Sequence, residues 1–157
     1  MIWERTYPFT LGVIAFAGWI AFGHQLAELA GLRMWAFEKI FESMFGFISI
    51  TTGFLAGFYG TIQSITEGFI QDIRKSPAFE MLLVYAKHGI IIGFVFAIYT
   101  VPFMIIQPLP LVQFSIENGF VASWCALCAT SLSMFWRVAQ HLFGLFETKV
   151  DRPNPGG

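Results

Sequence analysis

Four long apolar runs occupy most of this chain of 157 residues. They lie at about Pro8–Leu29, Gly46–Ser64, Met81–Ile106 and Gly119–Trp136. Each has the roughly 18–25 residues that an α-helix needs to cross about 30 Å of hydrocarbon. We therefore expect an all-α, polytopic membrane protein with four transmembrane helices. They would form one domain over residues 1–150, followed by a polar C-terminal tail over residues 151–157.

The composition fits this arrangement and excludes several kinds of function. Hydrophobic residues make up 56% of the chain and charged residues 12%, whereas a soluble domain carries about 25% charged residues. The net charge of −1 provides no concentrated basic surface, so we expect no nucleic-acid partner. The sequence also has no nucleophile–base set, phosphate-binding loop or metal-ligand run. We therefore predict a protein that is not an enzyme and that binds no metal.

The distribution of basic residues predicts the orientation in the membrane. If both termini and the middle loop share one side, that side carries seven of the nine basic residues. These are Arg5, Arg74, Lys75, Lys87, Arg137, Lys149 and Arg152, whereas the opposite side carries Arg33 and Lys39. Basic residues concentrate on the cytoplasmic side of membrane proteins. We expect both termini to be cytoplasmic, in a bacterial inner membrane.

Small residues recur at steps of three and four along each run, which places them on one face of each helix. The second run carries Gly46, Ser49, Gly53, Gly57, Gly60 and Ser64, and the third carries Gly89, Gly93 and Ala97. Shorter stripes are Gly23, Ala27 and Gly31 in the first run, and Ala122, Ala126, Ala129 and Ser133 in the fourth. Small side chains let membrane helices approach closely. These faces either seal a four-helix bundle, or one of them, above all that of the second run, faces a partner helix or lines a narrow pore.

Two of these stripes continue into ionisable residues. The second stripe reaches Glu67, and the fourth reaches Arg137. Ionisable groups at a membrane are costly and usually pair or line water. We interpret Glu67 and Arg137 either as a cytoplasmic charged pair or gate, or as two side chains that reach the headgroups separately.

Two histidines keep a cofactor hypothesis open. His88 and His141 have similar depths at the cytoplasmic ends of the third and fourth runs, as the two axial ligands of a b-type haem would. We favour structural roles for both and predict no cofactor, with haem b as the alternative. Cys125 and Cys128 form a CxxC pair that no histidine follows. Covalent haem attachment is thereby excluded, and we interpret both cysteines as packing residues.

The second run and its surroundings also resemble a known group of proteins. The segment FISITTGFLAGFYGTIQSI, residues 47–65, is a glycine-rich span followed by a charged hinge and a third span. This layout resembles the small four-helix membrane proteins of bacterial anti-phage systems, such as the Kiwa membrane subunit and the lambda-type exclusion channel. The likeness lies in the pattern, so no functional residue is carried over. It implies a homo-oligomeric membrane sensor or channel with a cytoplasmic partner, acting in antiviral defence.

Three functions are compatible with the sequence. The first, which we predict, is a non-enzymatic oligomeric tetraspan protein that acts as an ion channel or as a membrane sensor and anchor for a cytoplasmic protein. The second is an accessory transmembrane subunit of a respiratory or photosynthetic complex. The third is a b-type haem membrane anchor that uses His88 and His141. In each case the partners are the lipid bilayer and either further copies of the chain or a larger membrane complex.

Overall fold

The computed structural model describes residues 2–32, 37–64, 77–106 and 116–150, which form four α-helices. They are α1 (Ile2–Leu32), α2 (Phe37–Ser64), α3 (Pro77–Ile106) and α4 (Ile116–Val150). Each contains a segment long and apolar enough to cross a membrane, namely Thr6–Leu29, Lys39–Ser64, Phe79–Ile105 and Asn118–Gly144. The all-helical fold with four such helices is confirmed, and it suggests an integral membrane protein. The predicted hinge after residue 64 and the tail over residues 151–157 lie outside the described residues.

All four helices are longer than the apolar runs that predict them. Helix α2 begins at Phe37 rather than near Gly46, and α4 continues past Trp136 to Val150. An apolar run shows only where the side chains are apolar. A helix can continue beyond it, because polar residues such as Glu, Lys and Gln also have good helical propensity. At about 1.5 Å per residue, the 35 residues of α4 extend well beyond about 30 Å of hydrocarbon. In a membrane of this thickness, at least one end of α4 would project out of the apolar layer.

The helices pack in a row rather than in a closed ring. Among the described residues, the extensive contacts are those of α1 with α4, of α4 with α3, and of α3 with α2. The order across the molecule is thus α1, α4, α3, α2. In the most apolar 18-residue stretch of each helix, 11% of α1 is buried inside the chain, whereas 39% of α4 is buried. The edge helices α1 and α2 consequently turn broad apolar surfaces away from the rest of the chain.

Neighbouring helices in the row run antiparallel, so the molecule has two distinct ends. Tyr7 of α1 lies beside Arg137 of α4, and Trp19 further along α1 reaches Asn118, near the start of α4. We refer to these two ends as the Arg137 end and the Asn118 end.

A core cluster occupies each end. The cluster at the Arg137 end contains Leu55, Ile62, Phe79, Leu82, Tyr85, Ala86, Met134 and Val138. The cluster at the Asn118 end contains Phe41, Ile48, Phe96, Phe103, Val121 and Trp124. In the second cluster, Phe41 meets the Trp124 ring edge-on, at 5.0 Å between centroids and 88° between planes. Such edge-to-face pairs add about 0.5–1.5 kcal/mol beyond burial of their area, and this one ties α2 to α4 across α3.

Two tryptophans make polar contacts between helices at the Asn118 end. Trp19 Nε1 donates a 2.7 Å hydrogen bond to Asn118 Oδ1, and Trp124 Nε1 donates a 3.0 Å bond to Thr100 Oγ1. Asn118 and Thr100 are both fully buried. In an apolar medium these N–H groups have no water to satisfy them, so each bond fixes the register of one helix pair.

We predict that Asn118→Ala destabilises the fold by about 1 kcal/mol, because an interhelical hydrogen bond in a membrane protein contributes about 0.6–1.7 kcal/mol. The measurement is the free energy of unfolding in a detergent–SDS titration. Ser123→Ala is the matched control, because the Ser123 hydroxyl donates to the Gly119 carbonyl of its own helix at 2.7 Å. Equal losses from the two variants would contradict a role of Asn118 in holding α1 on α4.

Candidate functional site

The small-residue stripe of α2 lies on the outside of the chain. A Cβ added to Gly46, Gly53, Gly57 or Gly60 would have no neighbouring atom within 4 Å. Gly53, Gly57 and Gly60 are exposed, as are Ser49 and Ser64 of the same stripe. The stripe therefore does not seal contacts within the chain. We call the six residues of this stripe the α2 open face: Gly46, Ser49, Gly53, Gly57, Gly60 and Ser64.

One side of the α2 open face continues into a groove between α2 and α3. The groove has a volume of about 510 Å³, and Ser49, Gly53 and Ala56 line it from α2. Phe94, Ala97 and Ile98 line it from α3. The small residues of α2 thus form a shallow wall beside large apolar side chains of α3, a surface on which another helix can lie close to the α2 backbone.

The glycine pair of α3 has the opposite placement. A Cβ on Gly93 would collide with the Thr52 hydroxyl of α2, and a Cβ on Gly89 would lie 3.1 Å from Leu55 Cδ1. Ala97, the third residue of this stripe, is partly buried against the cluster at the Asn118 end. Gly89 and Gly93 therefore let α3 approach α2 within the chain. The two GxxxG pairs look alike in sequence, but one faces inward and the other outward.

A further close contact was not found by sequence reasoning. Gly12 of α1 lies against α4, where a Cβ would collide with the Thr130 hydroxyl and lie 3.1 Å from the Ala126 carbonyl oxygen. The predicted α1 stripe began instead at Gly23, where a Cβ would meet the Trp19 ring of the same helix at 2.8 Å. Ala15 and Gly18 follow Gly12 at steps of three, so a small-residue signal was present, but only the pairing with α4 identifies Gly12 as the point of contact.

The structure describes only one residue of the predicted charged pair, Arg137. Glu67 lies outside the described residues, so its pairing with Arg137 stays a prediction. Arg137 Cζ lies 5.0 Å from the centre of the Tyr7 ring of α1, within the range of a cation–π interaction. Its Nε is buried and has no hydrogen-bond partner among the described residues. The Arg137 guanidinium therefore belongs to the α1–α4 contact.

The two histidines of the haem alternative both have protein neighbours. The His141 ring stacks on Tyr85 of α3, at 5.4 Å between centroids and 14° between planes. The exposed His88 has its Nδ1 2.7 Å from the Val84 carbonyl oxygen, so Nδ1 carries a proton and donates. Both imidazoles thus have contacts that suit structural histidines, and haem binding by this pair stays an untested alternative.

Cys125 and Cys128 are free thiols and are partly buried. Both pack around the cluster at the Asn118 end, which agrees with their interpretation as packing residues. In the part of the chain that the structure describes, no three His, Cys, Asp or Glu side chains lie close enough together to hold a metal ion.

Comparisons of the chain with protein-family models, with curated proteins and with solved structures found no match. The resemblance to anti-phage membrane proteins stays a prediction, and function has to be inferred from the geometry of the chain itself.

Proposed function

We propose that the chain is a non-enzymatic integral membrane protein that assembles from copies of itself, with the α2 open face at the contact. The observation that carries this proposal is the open space around Gly53, Gly57 and Gly60 on a helix at the edge of the row. Neighbouring large apolar residues of the same helix are also exposed, such as Ile50 and Phe54. Large side chains therefore fit on the outer surface of α2. The contacts within the chain also leave space for side chains larger than glycine at these three positions.

Glycine on a lipid-facing surface has a cost that close helix contact can offset. Each glycine inside a helix is less favourable than alanine by roughly 0.5–1 kcal/mol. Gly53, Gly57 and Gly60 together thus cost about 1.5–3 kcal/mol on this scale. In hydrocarbon, helices associate through close backbone approach and van der Waals contact rather than through a hydrophobic force. A second copy of α2 against this face supplies that contact.

The polar groups of the α2 open face are compatible with lipid, with a second helix or with water. Thr61, beside the face, donates to the Gly57 carbonyl at 2.8 Å, and Ser64 donates to the Thr61 carbonyl at 2.8 Å. Their hydroxyl protons are therefore satisfied within the helix, while each oxygen can still accept a bond. In a closed ring the face surrounds the symmetry axis and forms a narrow channel. In a dimer it holds two chains together as a membrane sensor and anchor for a cytoplasmic protein, the role in anti-phage defence that the resemblance implies.

Disulfide formation across the α2 open face tests the proposal. In a background of Cys125→Ser and Cys128→Ser, we expect Gly57→Cys to give covalent dimers in native membranes on mild oxidation. The matched control is Val13→Cys, at another exposed position, on α1, where the side chain is 68% exposed. Dimers in comparable yield from both variants, or from neither, would contradict contact through α2.

Ion flux separates the two forms of the proposal. Liposomes that contain the purified chain lose trapped potassium ions if the α2 open face lines a pore. They retain these ions if the assembly is an anchor.

A further inference from the structure

A second groove lies between α1 and α4, at the Arg137 end. It has a volume of about 480 Å³, within the usual range of small-molecule sites. Its walls are almost entirely apolar and include Leu11, Ile14, Ala15, Ala129, Leu132 and Trp136. The groove exists because the two alanines leave space between helices that are in close contact nearby, at Gly12. Its shape and lining suit a hydrocarbon chain.

A cation lies against one of the residues that line this groove. Tyr7 lines the groove, and the Arg137 guanidinium lies over the Tyr7 ring. The ring face partly offsets the positive charge, but it supplies no hydrogen-bond acceptor for the buried Arg137 Nε. A guanidinium binds phosphate oxygens well, because its N–H groups match their geometry. The apolar groove therefore lies beside a guanidinium whose Nε has no hydrogen-bond partner among the described residues.

The depth of this site matches that of lipid headgroups. Tyr7 is the second residue of the apolar segment Thr6–Leu29, and Arg137, which contacts it, lies seven residues before the end of the segment Asn118–Gly144. Arginine and tyrosine at such positions place their polar ends at the membrane surface and their apolar parts in the hydrocarbon.

We propose that this groove binds a phospholipid with an anionic headgroup, with the phosphate at Arg137 and one acyl chain along Leu11, Ala15 and Ala129. The charge complementarity at one end and the apolar lining of the rest fit this ligand. An anionic headgroup is favoured over a zwitterionic one, because an ammonium group in the same headgroup would oppose the guanidinium. The site is separate from the α2 open face and does not depend on self-assembly.

Native mass spectrometry of the full chain with added lipid tests the proposal. The probes are phosphatidylglycerol and phosphatidylcholine with identical acyl chains. We expect phosphatidylglycerol to be retained about fivefold more strongly, the effect of one cation at a membrane surface. Arg137→Gln should reduce this ratio to about one. Lys87→Gln, which removes the same charge from an exposed position on α3, should leave the ratio unchanged.

Two further results bear on the lipid itself. Ala129→Leu fills the groove and should lower retention of both lipids, and this variant decides the question if Arg137→Gln does not fold. Inorganic phosphate at millimolar concentration should not displace phosphatidylglycerol, because it has no acyl chain. Displacement by phosphate, an unchanged lipid ratio in Arg137→Gln, a ratio lost equally in Lys87→Gln, or unchanged retention in Ala129→Leu would each overturn the proposal.

Discussion

Replacing Gly57 with leucine is expected to dissociate the proposed assembly into single chains while leaving each chain folded. Within the chain there is free space around Gly57, so leucine fits there and even gains about 0.8–1 kcal/mol in helical propensity. Between two copies the same side chain prevents close approach of the backbones. Overpacking costs about 1–3 kcal/mol at one site, or roughly 2–6 kcal/mol for two symmetric copies. That corresponds to roughly a 30-fold or larger loss of association.

Light scattering with size-exclusion chromatography in a mild detergent measures this change as the mass of the protein component. Gly18→Leu on α1 is the matched control, because Gly18 also has no atom within 4 Å of an added Cβ. It should leave both the fold and the assembly unchanged. If Gly57→Leu keeps the wild-type mass, or if Gly18→Leu lowers it equally, the α2 open face is not the contact.

Gly93→Leu, in contrast, is expected to destabilise the fold of each chain, because it disrupts the contact between α2 and α3. Even the first carbon of the new side chain would collide with the Thr52 hydroxyl of α2, and the three carbons beyond it have to displace that helix. We expect a loss of at least 3 kcal/mol in the free energy of unfolding, at or above the upper end of overpacking costs. Tryptophan fluorescence in a detergent–SDS titration measures this loss.

A rescue experiment ties the effect to the named contact. Gly93→Ala alone should cost about 1–3 kcal/mol, and adding Thr52→Ala should recover most of this loss by removing the hydroxyl. In the same titration, Gly57→Leu should cause no such loss. A double variant no more stable than Gly93→Ala alone would mean that Thr52 is not what limits the approach of the two helices.

The four helices could be predicted from the sequence because a bilayer imposes a simple length rule. A run of about 20 apolar residues has no other stable form in hydrocarbon than a helix. The helix ends were less predictable, because α4 continues past Trp136 through Arg137 and His141. Such polar turns are good helix formers outside the membrane, and an apolar run gives no information about them.

The order of the helices could not be predicted, because burial and lipid contact favour the same residues. Phe96 is fully buried and Phe94 is 62% exposed, although the two residues are nearly adjacent and of the same type. In a soluble protein the exposed position would be polar and would reveal the face. The glycines pose the same problem, since Gly93 and Gly57 differ only in what lies opposite them.

The surroundings of Arg137 show what sequence spacing can and cannot supply. Extending the stripe of α4 placed Arg137 at a helix end near other polar groups, and this pointed to Glu67 as a partner. The contact with Tyr7 depends on α1 packing beside α4, which no periodicity in either helix specifies. An aromatic residue at the membrane boundary has many possible neighbours until the helix order is known.

The mass of the wild-type protein in lipid nanodiscs, determined by native mass spectrometry, tests self-assembly most directly. One chain has a mass of 17.7 kDa. We expect a single species at an integral multiple of that value, at least twofold, with no other protein present besides the nanodisc scaffold. A species of 17.7 kDa alone, or one that contains larger unrelated subunits, would contradict assembly through the α2 open face.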